Sequence, residues 1–123
     1  MQSDSSKFKN EFYQRLIRFS LDIIRFCNEI RKDRNLLSLA DQLIRSACSV
    51  GANIIEAKSC GSKKDYIRFF EIALKSANET KYWLILVRES SPSLKEKAEK
   101  LLAEVTEIAN IIGSGIITMK GKR

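Results

Sequence analysis

The chain of 123 residues, 44% hydrophobic and 30% charged, has room for one domain with its own core and a globular rather than disordered composition. With no histidine it excludes a Ser-His-Asp triad and lacks the commonest general base and metal ligand, and one proline with five glycines suits helices. The net charge of +7 favours polyanionic partners, and the excess is uneven: residues 35–61 are neutral, with Arg45 and Lys58 against Asp41 and Glu56.

Apolar residues recur at alternating four- and three-residue steps in four successive stretches, the period of helices packed in a bundle. The first helix is predicted over about 5–33, with Phe12, Leu16, Phe19, Ile23, Phe26 and Ile30 facing the core. The second is predicted over about 36–59 on Leu36, Ala40, Leu43, Ala47, Val50, Ile54 and Ala57, with Asn35 as its N-cap and Gly61 as a left-handed residue after its end. The third is predicted over 63–90 on Tyr66, Phe70, Ala73, Ala77, Thr80, Leu84 and Val87, begun by Ser62 and Asp65 as a capping box. The fourth is predicted over 93–118 on Leu94, Ala98, Leu101, Val105, Ile108 and Ile112; either Ser93 with Glu96 caps it, or Ser91 caps with Pro92 at the first helical position. All three connections are short, so residues 1–123 are expected to form one all-α, up-down-up-down antiparallel four-helix bundle.

A second apolar stripe lies beside the first: Tyr13, Ile17, Ile24 and Cys27; Leu37, Ile44, Cys48, Gly51 and Ile55; Phe69, Ile72, Trp83 and Leu86. Two readings compete, a wide intramolecular core and a face used by another subunit. Self-association is favoured, because large exposed apolar patches are uncommon on monomers. The longest apolar run, Ile108–Met119, is interrupted by Asn110, Gly113, Ser114 and Gly115, so no membrane span is expected. The polar, mixed-charge start of the chain predicts no secretory signal and a cytoplasmic location.

No catalytic constellation emerges, and no cofactor or metal is expected. Gly113-Ser114-Gly115 lacks the pattern of a phosphate loop, and Cys27, Cys48 and Cys60 have no metal-ligand spacing. Most carboxylates sit three or four residues from a cation, as Glu11 with Arg15 or Glu71 with Lys75, and read as helix-surface pairs. Arg45, Asn53, Glu56 and Glu79 lie near the core stripes and are expected to form a buried polar network that fixes helix register rather than a ligand site.

The basic residues carry the functional signal. Arg18, Arg25 and Lys32 recur every seven residues on the first helix, with Arg15 one turn before; Lys63, Lys64 and Arg68 cluster at the start of the third. Lys120, Lys122 and Arg123 close the chain. Cations spaced along helices can track phosphates, each neutralised phosphate adding a counterion-release contribution. The competing reading is a solvated face of ion pairs, since Asp22 and Glu29 alternate with those arginines.

Gln42, Arg45, Ala47, Ser49, Asn53, Ile54 and Glu56, followed after a serine-containing loop by Phe69, Ile72, Ala73, Ser76 and Glu79, form two linked motifs. Together they resemble the four-helix-bundle family of 23S rRNA intervening-sequence proteins, strongly over about half of the chain and by pattern alone in the outer helices. Gly51, and Ala57-Lys58 at the end of the first motif, depart from the family's usual residues. The resemblance implies bundles that assemble into homopentameric rings. A related branch, the accessory variability determinant of diversity-generating retroelements, implies a basic pentamer that binds RNA and a reverse transcriptase. The motif residues themselves look structural. The expectation is a non-enzymatic, ring-forming bundle that binds nucleic acid, RNA more than DNA, as an accessory to an enzyme such as a reverse transcriptase. The alternative is an oligomeric protein-interaction scaffold with no nucleic-acid role.

Overall fold

In the computed structural model, which describes residues 4–121, every apolar position of the first two predicted stripes is buried. They lie on α1 (Asp4–Ile30) and α2 (Leu37–Ala57), joined by a 3-10 turn at Arg34–Leu36. Helices α3 (Lys63–Ser90) and α4 (Lys95–Gly121) follow, with a second 3-10 turn at Pro92–Leu94. Sequential helices pack as antiparallel neighbours, α1 on α2, α2 on α3, α3 on α4, and the α1–α4 contact that closes the bundle is the sparsest. The core is one cluster; its fully buried large residues include Phe19, Leu16, Ile23, Leu43, Ile54, Leu84, Ile108 and Ile112. Each contributes roughly 1.5–3 kcal/mol by leaving water.

The helix ends differ from expectation in detail. Asn35 does not cap α2: Asp33 caps the intervening 3-10 turn, its carboxylate accepting the Asn35 amide at 3.0 Å, and α2 begins after Leu36 with no side-chain cap. Gly61 does not take the left-handed conformation, because α2 closes through turn hydrogen bonds from the amides of Lys58, Ser59 and Cys60 to Ile55, Glu56 and Ala57. Ser62 caps α3 as expected, its hydroxyl accepting the Asp65 amide at 3.2 Å. At the last connection Ser91 precedes Pro92, which opens the helical turn, the second of the two registers considered.

The α2–α3 contact carries a seam of small polar groups. The Thr80 hydroxyl, fully buried, donates to Ser46 Oγ at 2.9 Å, and the Ser49 and Ser76 hydroxyls lie 3.0 Å apart. Asn53 Nδ2 donates to the Ser49 carbonyl at 2.8 Å. Small side chains let the two helices approach, and the hydroxyls satisfy one another where water is excluded.

Helix α4 with its preceding turn, Pro92–Gly121, contains an 18-residue window of mean hydropathy 1.4, apolar and long enough to cross a bilayer by composition alone. The interruptions noted in the sequence do not break the helix. In the bundle, Val105, Ile108, Ile112 and Ile116 turn into the core, while Glu104 and Glu107 form ion pairs with Arg15 of α1.

Candidate nucleic-acid interface and self-association face

The predicted basic residues divide into tethered and untethered groups. Arg15 is tethered: Nε donates to Glu104 Oε2 at 2.7 Å, Nη2 donates to Glu104 Oε1 at 2.8 Å, and Nη2 also donates to Glu107. Hydrogen bonding to Glu104, above all, holds the guanidinium pKa above its ordinary value. Its side chain is only 28% exposed, so Arg15 closes the α1–α4 seam. Arg25 pairs with Asp22 at 3.1 Å in an open setting. Arg18, Lys32, Lys64 and Arg68 are exposed and have no ion-pair partner among the described residues. Lys63 is also exposed.

These cations do not form one patch. Helices α1 and α3 run parallel, so Lys63, Lys64 and Arg68 stand level with the first turns of α1. Lys32 lies beyond the far end of α1, roughly 35 Å away at 1.5 Å per residue. The structure thus has two basic zones, one at the bundle end and one along α1. Lys120 reaches Glu71 on α3 at 2.8 Å, and Lys122 and Arg123 lie outside the described residues.

Among the described residues, Arg45, Asn53, Glu56 and Glu79 do not form the expected buried network. Arg45, Glu56 and Glu79 are exposed; Glu79 accepts from Trp83 Nε1 at 2.9 Å along its own helix, and Asn53 serves the serine seam. The interior polar contacts between α2 and α3 use Ser46, Ser49, Ser76 and Thr80 instead.

The second apolar stripe is divided: Tyr13, Ile44, Cys48, Gly51, Phe69, Trp83 and Leu86 are half-buried, and Ile17, Ile24, Leu37, Ile55 and Ile72 are exposed. Ile17, Leu21 and Ile24 follow one another along α1, and Leu37 and Ile55 stand near opposite ends of α2; all five are exposed. Between the two helices lies a shallow groove of about 240 Å3 lined by Ile17, Ser20, Leu21, Gly51, Ala52 and Ile55, almost wholly apolar. Small residues at Ser20, Gly51 and Ala52 make its floor. On α3, Ile72 and Tyr82 are exposed as well. Cys27 is the stripe residue that is fully buried; its thiol donates to the Ala40 carbonyl at 3.5 Å, and burial pushes its pKa up to about 11.

A feature that sequence reasoning missed lies where the start of α1 and the end of α4 meet the start of α3. An open cleft of about 680 Å3 is lined by Phe8, Phe12, Tyr13, Tyr66, Phe70 and Met119, among others. The Tyr66 and Phe70 rings stack at 4.9 Å, and Lys58 Nζ sits 4.3 Å over the Tyr13 ring. Burial raises the pKa of both tyrosines. Its signal was the clustering of aromatic residues at 8–13 and 66–70, which the antiparallel topology brings to one end. Among the described residues no group of three or more His, Cys, Asp or Glu could hold a metal ion.

The family of 23S rRNA-intervening sequence proteins matches over residues 9–114. A crystal structure of a protein with unknown function from the S23 ribosomal protein family of Bacteroides thetaiotaomicron is similar over most of the chain. It is 32% identical, with a TM-score of 0.80, covering 85% of this chain and 97% of that one. No curated protein matches.

Proposed function

Because this chain belongs to the 23S rRNA-intervening sequence protein family, we propose that it is a non-enzymatic bundle that assembles into a homopentameric ring and binds structured RNA in the cytoplasm. The observation that carries the RNA reading is that Arg18, Lys32, Lys64 and Arg68 are exposed and have no ion-pair partner among the described residues, on a subunit of net charge +7. Each such cation placed on a phosphate releases a counterion, and a ring of subunits concentrates the field.

The exposed Ile17, Leu21, Ile24 and Ile55 beside the α1–α2 groove support the assembly. A ring needs a heterologous contact, in which one face of a subunit meets a different face of the next. The groove lined by Ile17, Leu21 and Ile55 is one such face, and the exposed Ile72 and Tyr82 on α3 offer a second. No basic residue lines the groove itself, while Arg68 lies one turn from Ile72 on α3. A role beside a nucleic-acid enzyme such as a reverse transcriptase fits the same surface, with the ring presenting RNA to it.

The test is fluorescence anisotropy with a labelled structured RNA hairpin between about 50 and 200 mM salt. Affinity falls steeply with salt for the native protein. The combined Arg18→Ala, Lys32→Ala, Lys64→Ala and Arg68→Ala variant binds more weakly with a shallower slope, while Lys97→Ala, a control whose ammonium already pairs with Glu29, changes affinity least. Failure of the hairpin to bind at the lowest salt would remove the RNA reading and leave a protein scaffold.

A further inference from the structure

The cleft at the bundle end is continuous with a second, smaller cavity of about 440 Å3, and Lys9, Tyr13 and Tyr66 line both. Lys58 lines the smaller one, and both lysines are exposed. An apolar aromatic trough therefore opens onto a cationic rim. On the trough's α4 side, Asn110 and Thr118 supply exposed hydrogen-bonding groups. Aromatic walls, edge-reading polar groups and adjacent cations are what an unstacked nucleotide requires: a π-face to stack on, partners for the base edge and a counter-charge for the phosphate. A purely apolar partner helix would leave the rim lysines and the tyrosine hydroxyls without a role.

We infer that this cleft takes unpaired bases of a single-stranded RNA segment, stacked against Tyr66 and Phe70, with the flanking phosphates on Lys9 and Lys58. The inference rests on the RNA-binding reading above and deepens it. It assigns the cations along α1 to the duplex parts of a structured RNA and the bundle end to its loops or ends.

The experiment compares a single-stranded RNA of about 20 nucleotides with a blunt RNA duplex of the same length, on the native full chain at low salt. Duplexes carry the denser charge, so a surface that reads phosphate alone binds the duplex at least as tightly. The cleft reverses that order. Tyr66→Leu, which keeps an apolar side chain and removes the ring, weakens single-strand binding about tenfold and leaves duplex binding unchanged. Lys9→Gln with Lys58→Gln lowers the single-strand salt slope by roughly one. Folding of each variant is checked by its circular dichroism melt, and the lysine pair, being exposed, keeps the test available if Tyr66→Leu unfolds. Equal or tighter duplex binding, insensitive to both variants, overturns the inference while RNA binding itself stands. A changed subunit count in Tyr66→Leu makes the cleft a subunit contact and overturns it too. Failure of both RNAs to bind brings down the RNA reading and the inference together.

Discussion

Arg15 on α1 grips Glu104 on α4 with two parallel hydrogen bonds, 2.7 and 2.8 Å long, across the sparsest helix contact of the bundle. Two donors of a planar guanidinium matched to two carboxylate oxygens fix both distance and rotation, which a lysine could not do. A residue that looks like a phosphate ligand in sequence thus serves the fold.

Arg15→Ala is expected to cost about 1–2 kcal/mol, since the pair is partly screened by solvent and Glu104 keeps some access to water. RNA affinity should fall less than in Arg18→Ala, which should leave stability unchanged. Paired urea titrations and anisotropy measurements on the two variants check both statements.

The interhelical ion pairs were not legible in the sequence. Local spacing favoured Glu11 with Arg15, and Glu71 with Lys75; the structure joins Arg15 to Glu104, Lys97 to Glu29 and Lys120 to Glu71. Those partners lie far apart along the chain and meet only once the helices pack. The core was legible because its period of three and four residues directly encodes a buried face, and all of the α1 and α2 stripe is buried. Glu56 was misplaced because adjacency in sequence is not adjacency in space. Its neighbour Ala57 is buried and its neighbour Ile55 is exposed, about 100° apart per residue around the helix. Tyr66 and Phe70 fit the core period but sit at the bundle end, where they line an open cleft rather than fill the interior.

If the proposed ring forms through the exposed run Ile17, Leu21 and Ile24, charge placed there should block it without unfolding the subunit. Ile17→Glu combined with Leu21→Glu should give a folded monomer, since both side chains already face out and the core beneath them is untouched. Circular dichroism with analytical ultracentrifugation gives the answer. Unchanged sedimentation would place the subunit contact elsewhere.

Gly113 lies within α4, and a Cβ added there meets no heavy atom within 4 Å. Gly113→Ala should therefore stabilise the chain by about 0.5–1 kcal/mol through helix propensity and a smaller unfolded-state entropy. The melting temperature should rise by a few degrees. A fall would mean that another subunit packs against this turn.

Cys27 gives stability a pH dependence. Its folded pKa is raised to about 11 by burial, so the unfolded chain loses this proton first as pH rises above about 9. The contribution is fully present below that point and is lost on the way to pH 11, amounting to at most about 2–3 kcal/mol. Denaturant melts of native protein and Cys27→Ala across pH 8–11 should show the steeper decline in the native chain. Parallel declines would mean that the thiol is not held neutral by the fold.

Light scattering coupled to size exclusion, with and without a structured RNA hairpin at low salt, tests most directly whether copies associate through the α1–α2 face and present their positive charge together. The expected result is a pentamer that takes up the RNA and releases it at high salt. A stable lone subunit at micromolar concentration, with the hairpin eluting separately, would contradict it.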